Sequence, residues 1–324
     1  KSRSFPELDI KPDQVTYNGV INAWAKSNDP NAPKHASRIL EEMWQIHEHK
    51  NNSIVPNTIS YTSLINAWAK SSSRNAGEEA SALLSEMWRR QEENPDLELK
   101  PNQKTYCAVM NAWAQTNSRA GAERASKLLD EMWLTYNAGD KTMAPDKINC
   151  ICAIGAWGRV ASIDSGNKAE EILTAMWKRY EANPQMRFKP DSDTYTAVLN
   201  AWMKSTDPFA AENTARVFKD MWQRYYRGDK TIAPRTVNYN AALEALIKNS
   251  NPDAGKIAER ILLDMWNMHA KHPHLKVRPN KKSYYAVAKV WAARNQPEVV
   301  LRRHTTRIFT DMLEKLGGDT SLAP

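Results

Sequence analysis

Residues 15–27 read VTYNGVINAWAKS, and they set Tyr17, Val20, Ile21 and Trp24 at i, i+3, i+4 and i+7, which is one face of a helix. The loop NDPNAP at 28–33 breaks that pattern. Ala36, Ile39, Leu40, Met43 and Trp44 then resume it as a second helical series. HKNNSIVP at 49–56 closes the stretch with turn formers. The reading is a helix–turn–helix unit of about 44 residues.

That unit recurs along all 324 residues. Pro12, Pro56, Pro101, Pro145, Pro190, Pro234 and Pro279 stand 44, 45, 44, 45, 44 and 45 residues apart. Met43, Met87, Met132, Met176, Met221 and Met265 keep the same period, and a Trp follows each. Trp24, Trp68, Trp113, Trp157, Trp202, Leu246 and Trp291 form a second periodic slot, so all twelve tryptophans fall in two slots. Such a ruler belongs to a stacked-repeat architecture. The expectation is an all-α, right-handed α-solenoid of about seven helix–turn–helix repeats, about 14 helices. After a lead-in at 1–13, the repeats span 14–57, 58–102, 103–146, 147–191, 192–235, 236–280 and a divergent 281–324. Asp13, Asn57, Asn102, Asp146, Asp191 and Asn280 follow the boundary prolines, where a helix N-cap belongs. The Trp slots lie in apolar stripes and read as core rather than as stacking platforms for bases.

Closing segments alternate between two kinds. The 44-residue units end in NNSIVP, GDKTMAP (139–145) and GDKTIAP (228–234). The 45-residue units carry Asn94-Pro95, Asn183-Pro184 and His272-Pro273, spaced by 89.

Composition limits the function classes. No apolar run approaches the roughly 20 residues of a membrane span, and no membrane partner is expected. The net charge of +8 favours an acidic partner. Cys107, Cys150 and Cys152 make neither a CxxC nor an even framework, so a reduced compartment is expected. The chain opens at Lys1 without a Met and reads as a piece cut from a longer protein. His47 and His269 fall where other units carry Tyr136, Tyr180 and Tyr225, which makes them variants of an aromatic position rather than metal ligands. With no nucleophile, zinc or phosphate-loop motif, neither an enzyme, a cofactor nor a small-molecule substrate is expected.

A polar ridge shares each first helix with the core stripe. The residue after the Tyr, and those four and eight later, line up as Asn18/Asn22/Lys26, Thr62/Asn66/Lys70, Cys107/Asn111/Gln115, Ile151/Gly155/Arg159, Thr196/Asn200/Lys204 and Asn240/Glu244/Lys248. Tyr285/Lys289/Ala293 departs most. Stacked units would align amides and hydroxyls beside a row of cations, an arrangement suited to single-stranded nucleic acid. The same features have a structural reading, since a terminal Lys complements the helix dipole.

The run from Pro12 through the AWAK of residues 23–26, the AxxxLxEM second helix and the closing Pro-Asx resemble the pentatricopeptide repeat family, with longer units. The resemblance implies a single-stranded RNA partner in a mitochondrion or plastid, read one base per repeat, and a role in RNA processing, stability or translation. It assigns base reading to Asn18 with Asn57, Thr62 with Asn102, Cys107 with Asp146, Ile151 with Asp191, Thr196 with Arg235 and Asn240 with Asn280. It places Val15, Ile59, Ile148 and Val237 where a base is sandwiched, with Lys104, Asp193 and Lys282 as unusual occupants. It places Lys26, Lys70, Arg159, Lys204 and Lys248 where phosphate is met. The alternative expectation is a protein-binding scaffold, such as one associated with a ribosome or another complex.

Overall fold

The computed structural model describes residues 12–50, 54–184, 188–248, 251–293 and 297–316. Most of the lead-in and the end of the seventh repeat lie outside them. The described residues form α-helices and no strand. The helices are α1 (Gln14–Lys26), α2 (Ala32–Lys50), α3 (Thr58–Lys70), α4 (Ala76–Glu93), α5 (Gln103–Gln115), α6 (Arg119–Asn137) and α7 (Lys147–Trp157). They continue as α8 (Ser165–Ala182), α9 (Ser192–Lys204), α10 (Ala210–Tyr226), α11 (Thr236–Lys248), α12 (Ala254–Lys271), α13 (Lys281–Ala292) and α14 (Glu298–Leu316). None is long and apolar enough to cross a membrane.

The chain divides into two compact units, Lys1–Ala156 and Trp157–Pro324. In the first, α1, α3 and α5 lie side by side, and α2 and α4 each pack on their own first helix and on the next. In the second, α9, α11 and α13 form the same series, backed by α10 and α12. Each helix pair buries its apolar faces against its neighbours, which is how a repeat too small for its own core becomes stable.

The boundary Asx residues start the first helices. Asp13, Asn57, Asn102, Asp191 and Asn280 each close a capping box with the residue three places on. Asp146 does the same with Asn149, which donates its amide N–H to Asp146 Oδ1 at 2.9 Å and accepts from Asp146 N at 3.0 Å. Arg235 cannot cap, and only half the box survives there, Arg235 N donating to Asn238 Oδ1 at 2.8 Å.

Neighbouring repeats are clamped by a ring of side chains. Trp44 Nε1 donates to Tyr61 Oη (3.0 Å), and Tyr61 donates to Glu86 (3.0 Å). Glu86 accepts from Arg90 (2.6 Å), whose guanidinium lies 3.9 Å over the Trp44 ring. Trp177, Tyr195, Asp220 and Arg224 repeat the ring in the second unit. Burial pushes the Tyr61 and Tyr195 hydroxyls up, so both remain donors at neutral pH.

The two kinds of closing segment have distinct jobs. Gln14, Gln103 and Ser192 at the first helical position donate to the carbonyls of Val55, Ala144 and Ala233, just before a boundary proline. Thr58 instead bonds Glu98 and Lys100 carbonyls, and Thr236 those of Lys276 and Arg278. The GDKT turns need Gly139 (φ +115) and Gly228 (φ +107) in a region that disfavours a Cβ. Lys100 and Lys189, from the preceding 45-residue units, pair with their aspartates Asp140 and Asp229, each at 2.8 Å.

Three sequence expectations are corrected. Val20 was assigned to the core face, yet it is 40% exposed while its counterparts Leu64, Val109, Val198 and Val287 are buried. No described helix covers α1 on that side. Helix α7 stops at Trp157, before Gly158, so Arg159 follows the helix instead of sitting in its last turn. Cys107 and Cys152, expected as thiols, form a disulfide between α5 and α7 with a Cα–Cα distance of 6.0 Å, and Cys150 is buried. A cysteine count along the chain carries no information about two adjacent helices placing residues 45 apart side by side.

Candidate nucleic-acid interface

The residue after each Tyr sits five residues, about one and a half turns, beyond the cap of its own helix, and at Asn18 and Asn240 it meets the cap of the next one. Asn18 Nδ2 donates to Asn57 Oδ1 at 3.4 Å, and Asn18 Oδ1 accepts from Ser60 Oγ at 2.5 Å. Asn240, Asn280 and Ser283 reproduce this arrangement at 3.4 and 2.7 Å. The capping oxygen of Asn57 also takes the N–H groups of Ile59 and Ser60. That demand orients the amide: the oxygen faces the helix, and the Nδ2 group makes no hydrogen bond among the described residues. An aspartate at the boundary, as at 146 and 191, offers only acceptor oxygens. An asparagine boundary thus presents a donor where an aspartate boundary presents only acceptors.

The other pairs differ. Thr62 shares a 2.9 Å hydrogen bond with Thr105, the residue whose hydroxyl also donates to Asn102 at 3.3 Å. Thr196 is fully engaged: it donates to Ser192 O (2.6 Å) and accepts from Asn238 Nδ2 (2.8 Å) and Arg235 (3.2 Å). Arg235 also pairs with Asp193 at 2.6 Å. Cys107 is held by Cys152, and Asn149 turns its amide to Gln103 O (2.8 Å). Ile151 has no hydrogen-bonding side chain; it is half-buried on α7, and Asp191 caps α9.

Two further rows flank these pairs. Val15, Ile59, Ile148 and Val237, each second in its helix, are 74, 61, 57 and 41% exposed. In the other helices Lys104 is exposed in that place, Asp193 binds Arg235, and Lys282 pairs with Glu244 at 3.1 Å. Lys26, Lys70, Lys204 and Lys248 end their helices, exposed, with no ion pair among the described residues. Lys248 Nζ donates to the carbonyl of Lys204 at 3.3 Å, the terminal-carbonyl contact that the helix dipole favours. Among the described residues no cluster of His, Cys, Asp and Glu could hold a metal.

Sequence reading passed over the residue just before each Tyr. Ser60, Thr105, Asn149, Thr194, Asn238 and Ser283 are buried and polar, close the capping boxes and in several units bond the preceding reader side chain. Their signal was the Asx-x-x-Ser/Thr/Asn spacing.

Residues 3–71 match the family model described as the pentatricopeptide repeat domain. The match to pentatricopeptide repeats spans α1 to α3. No curated protein matches this sequence. Among solved structures, the crystal structure of the pentatricopeptide repeat protein PPR10 from maize aligns at 16% identity with a TM-score of 0.33. The alignment covers 94% of this chain and 54% of that one, so this chain spans about half its length. The helix pairs here set the residue after each Tyr beside the cap of the next first helix, as at Asn18 with Asn57 and Asn240 with Asn280.

Proposed function

We propose that this protein binds single-stranded RNA along the faces of its first helices and acts by occupancy in organellar RNA processing, stability or translation. The observation that carries this reading is the contact between reader positions of adjacent repeats, seen at Asn18–Asn57 and Asn240–Asn280, beside exposed aliphatic residues and unpaired lysines. The aliphatic side chains would flank a base, the amides would read its edge, and the lysines would meet phosphate. The site residues are those assigned above, with Asn18, Asn57 and Asn280 the best equipped to read.

The test is selection from a randomised single-stranded RNA pool at about 50 and 200 mM salt. Five phosphate contacts give a slope near −3.5 in log affinity against log salt, roughly a hundredfold loss over that range. Replacing Lys26, Lys70, Lys204 and Lys248 by Ala should flatten the slope by about 2.8. Undiminished affinity in that variant would remove the face assignment. Absence of binding at low salt would favour a protein-binding scaffold, a reading that the internally closed Cys107 and Thr196 positions already suit.

A further inference from the structure

Trp113, Trp202 and Trp291 share a socket chemistry at their junctions with the preceding repeat. Each lies against a glycine near the start of that repeat's second helix (Gly77, Gly166, Gly255), where a Cβ would collide with the indole. Each indole Nε1 donates to the residue four places after the glycine: Ser81 at 2.8 Å, Glu170 at 3.0 Å, Glu259 at 3.1 Å. Both glutamates are also gripped from the Trp side. Arg216 binds Glu170 through two nitrogens at 2.6 and 2.8 Å. His304, stacked 3.8 Å from Trp291, donates to Glu259 at 2.9 Å, and Arg307 binds its other oxygen. At Glu259 a Trp, a His and an Arg converge on one carboxylate; at Glu170 a Trp and an Arg do so.

The first repeat holds the same three donor types, and among the described residues no carboxylate bonds them. Trp24 stacks on His35 at 4.4 Å, and Arg38 follows His35 by three residues, as Arg307 follows His304. These three line an open recess with Ile39, Glu41 and Glu42. Glu42 accepts from Tyr17 at 3.0 Å and occupies the place of Asp220 and Asp311, so an acid there coexists with a filled socket. Neither Trp24 Nε1 nor Arg38 has a hydrogen bond among the described residues, and Val20 beside them is exposed where its counterparts are buried. Leading into this repeat, residues 6–12 read PELDIKP, against PDLELKP at 95–101, and Pro6, Pro95, Pro184 and Pro273 are spaced by 89. That segment has the form of the closing linker of a 45-residue unit.

We infer that Trp24, His35 and Arg38 form the docking socket for a carboxylate-bearing helix of one further 45-residue-type repeat joined ahead of Pro6. Gly77, Gly166 and Gly255 stand 18 residues before Pro95, Pro184 and Pro273, and their acceptors 14 before. The docking helix accordingly carries glycine 18 residues ahead of Pro6 and a glutamate, or a serine as at Ser81, 14 ahead. A second copy of the chain fits poorly, because its end helix α14 has no glycine to admit the indole.

Two measurements test this. Sequencing the natural transcript upstream of the Pro6 codon should find those two residues at those places, and any other pair overturns the inference. Independently, the chain is extended by joining a copy of residues 236–272 directly to Pro6, and its urea unfolding midpoint is compared with that of the unextended protein. The copy should raise the midpoint. Arg38→Ala should remove at least roughly half of that gain, and Gly255→Val in the copied helix should remove it while the helix remains visible by circular dichroism. An unchanged midpoint, or a gain indifferent to both substitutions, overturns the proposal.

Discussion

The junction of the first and second repeats and that of the fifth and sixth use one backbone arrangement to opposite ends. At the first, Asn18 and Asn57 bond each other, and the Asn57 Nδ2 donor has no partner among the described residues. At the later one, Arg235 replaces the capping Asx, and the Thr196 hydroxyl is saturated by Ser192, Asn238 and Arg235. The third repeat goes further, with Cys107 covalently tied to Cys152. The scaffold therefore tolerates both bonded-out and partly unbonded side chains at these junctions. What differs is whether the side chains already satisfy one another.

Closing the junction covalently has the largest predicted effect. Cys152→Ser, or reduction of the wild type, should lower stability to urea by about 2–4 kcal/mol, given the loop of 45 residues between the cysteines. If instead the midpoint is unmoved, the bridge does not constrain the chain in solution.

The two amide junctions differ in burial, which sharpens the comparison. Asn240 is only 4% exposed and Asn18 is half-buried. Asn240→Ala strips an acceptor from the buried Ser283 and should cost about 1–3 kcal/mol in chemical denaturation. Asn18→Ala should cost less, and an equal loss would mean that burial is not what separates them.

Opening a closed junction should change recognition more than stability. Arg235→Asn removes an exposed ion pair with Asp193, worth at most about 1 kcal/mol, and restores a cap. On the proposed reading it should add a base preference at one place in the selected RNA. An unchanged selection profile counts against Thr196 and residue 235 as a reading pair.

The smallest effect is shared by both units. Hydrogen bonds from Lys100 and Thr142 hold the Asp140 carboxyl below its usual range. Burial pushes Asp229 up, but Lys189 and Thr231 outweigh it and leave that carboxyl lowered too. A depressed carboxylate stabilises the fold fully above its unfolded value of about 3.9, and that contribution disappears as pH falls through the lower folded value. Acid titration of unfolding should show a small loss below about pH 4, reduced but not abolished when Lys100 and Lys189 are both replaced by Met, because Thr142 and Thr231 still bond the carboxyls.

Much of the fold was legible because each cue is local. The Pro-Asx boundaries are caps, the Tyr and Trp spacings are helix faces, and the 89-residue alternation corresponds to two sets of linker hydrogen bonds. The interface was legible only as rows of residue types. Val20 looked like core because periodicity assigns it a face and says nothing of whether a neighbour covers that face. Arg159 looked like a terminal helix cation because the spacing ignores Gly158.

By itself, the sequence determined the helix pair, its period, its caps and the two kinds of linker, since these depend on residues a few places apart and on backbone preferences. Only the tertiary structure decided which reading positions are open, that Cys107 meets Cys152, and that Arg235 is spent on Asp193 and Thr196. It also separated the filled sockets at Glu170 and Glu259 from the unfilled one at Trp24. The physical reason is distance along the chain. Those contacts join side chains roughly one repeat apart, at ranges of about 3 Å that no periodic pattern specifies.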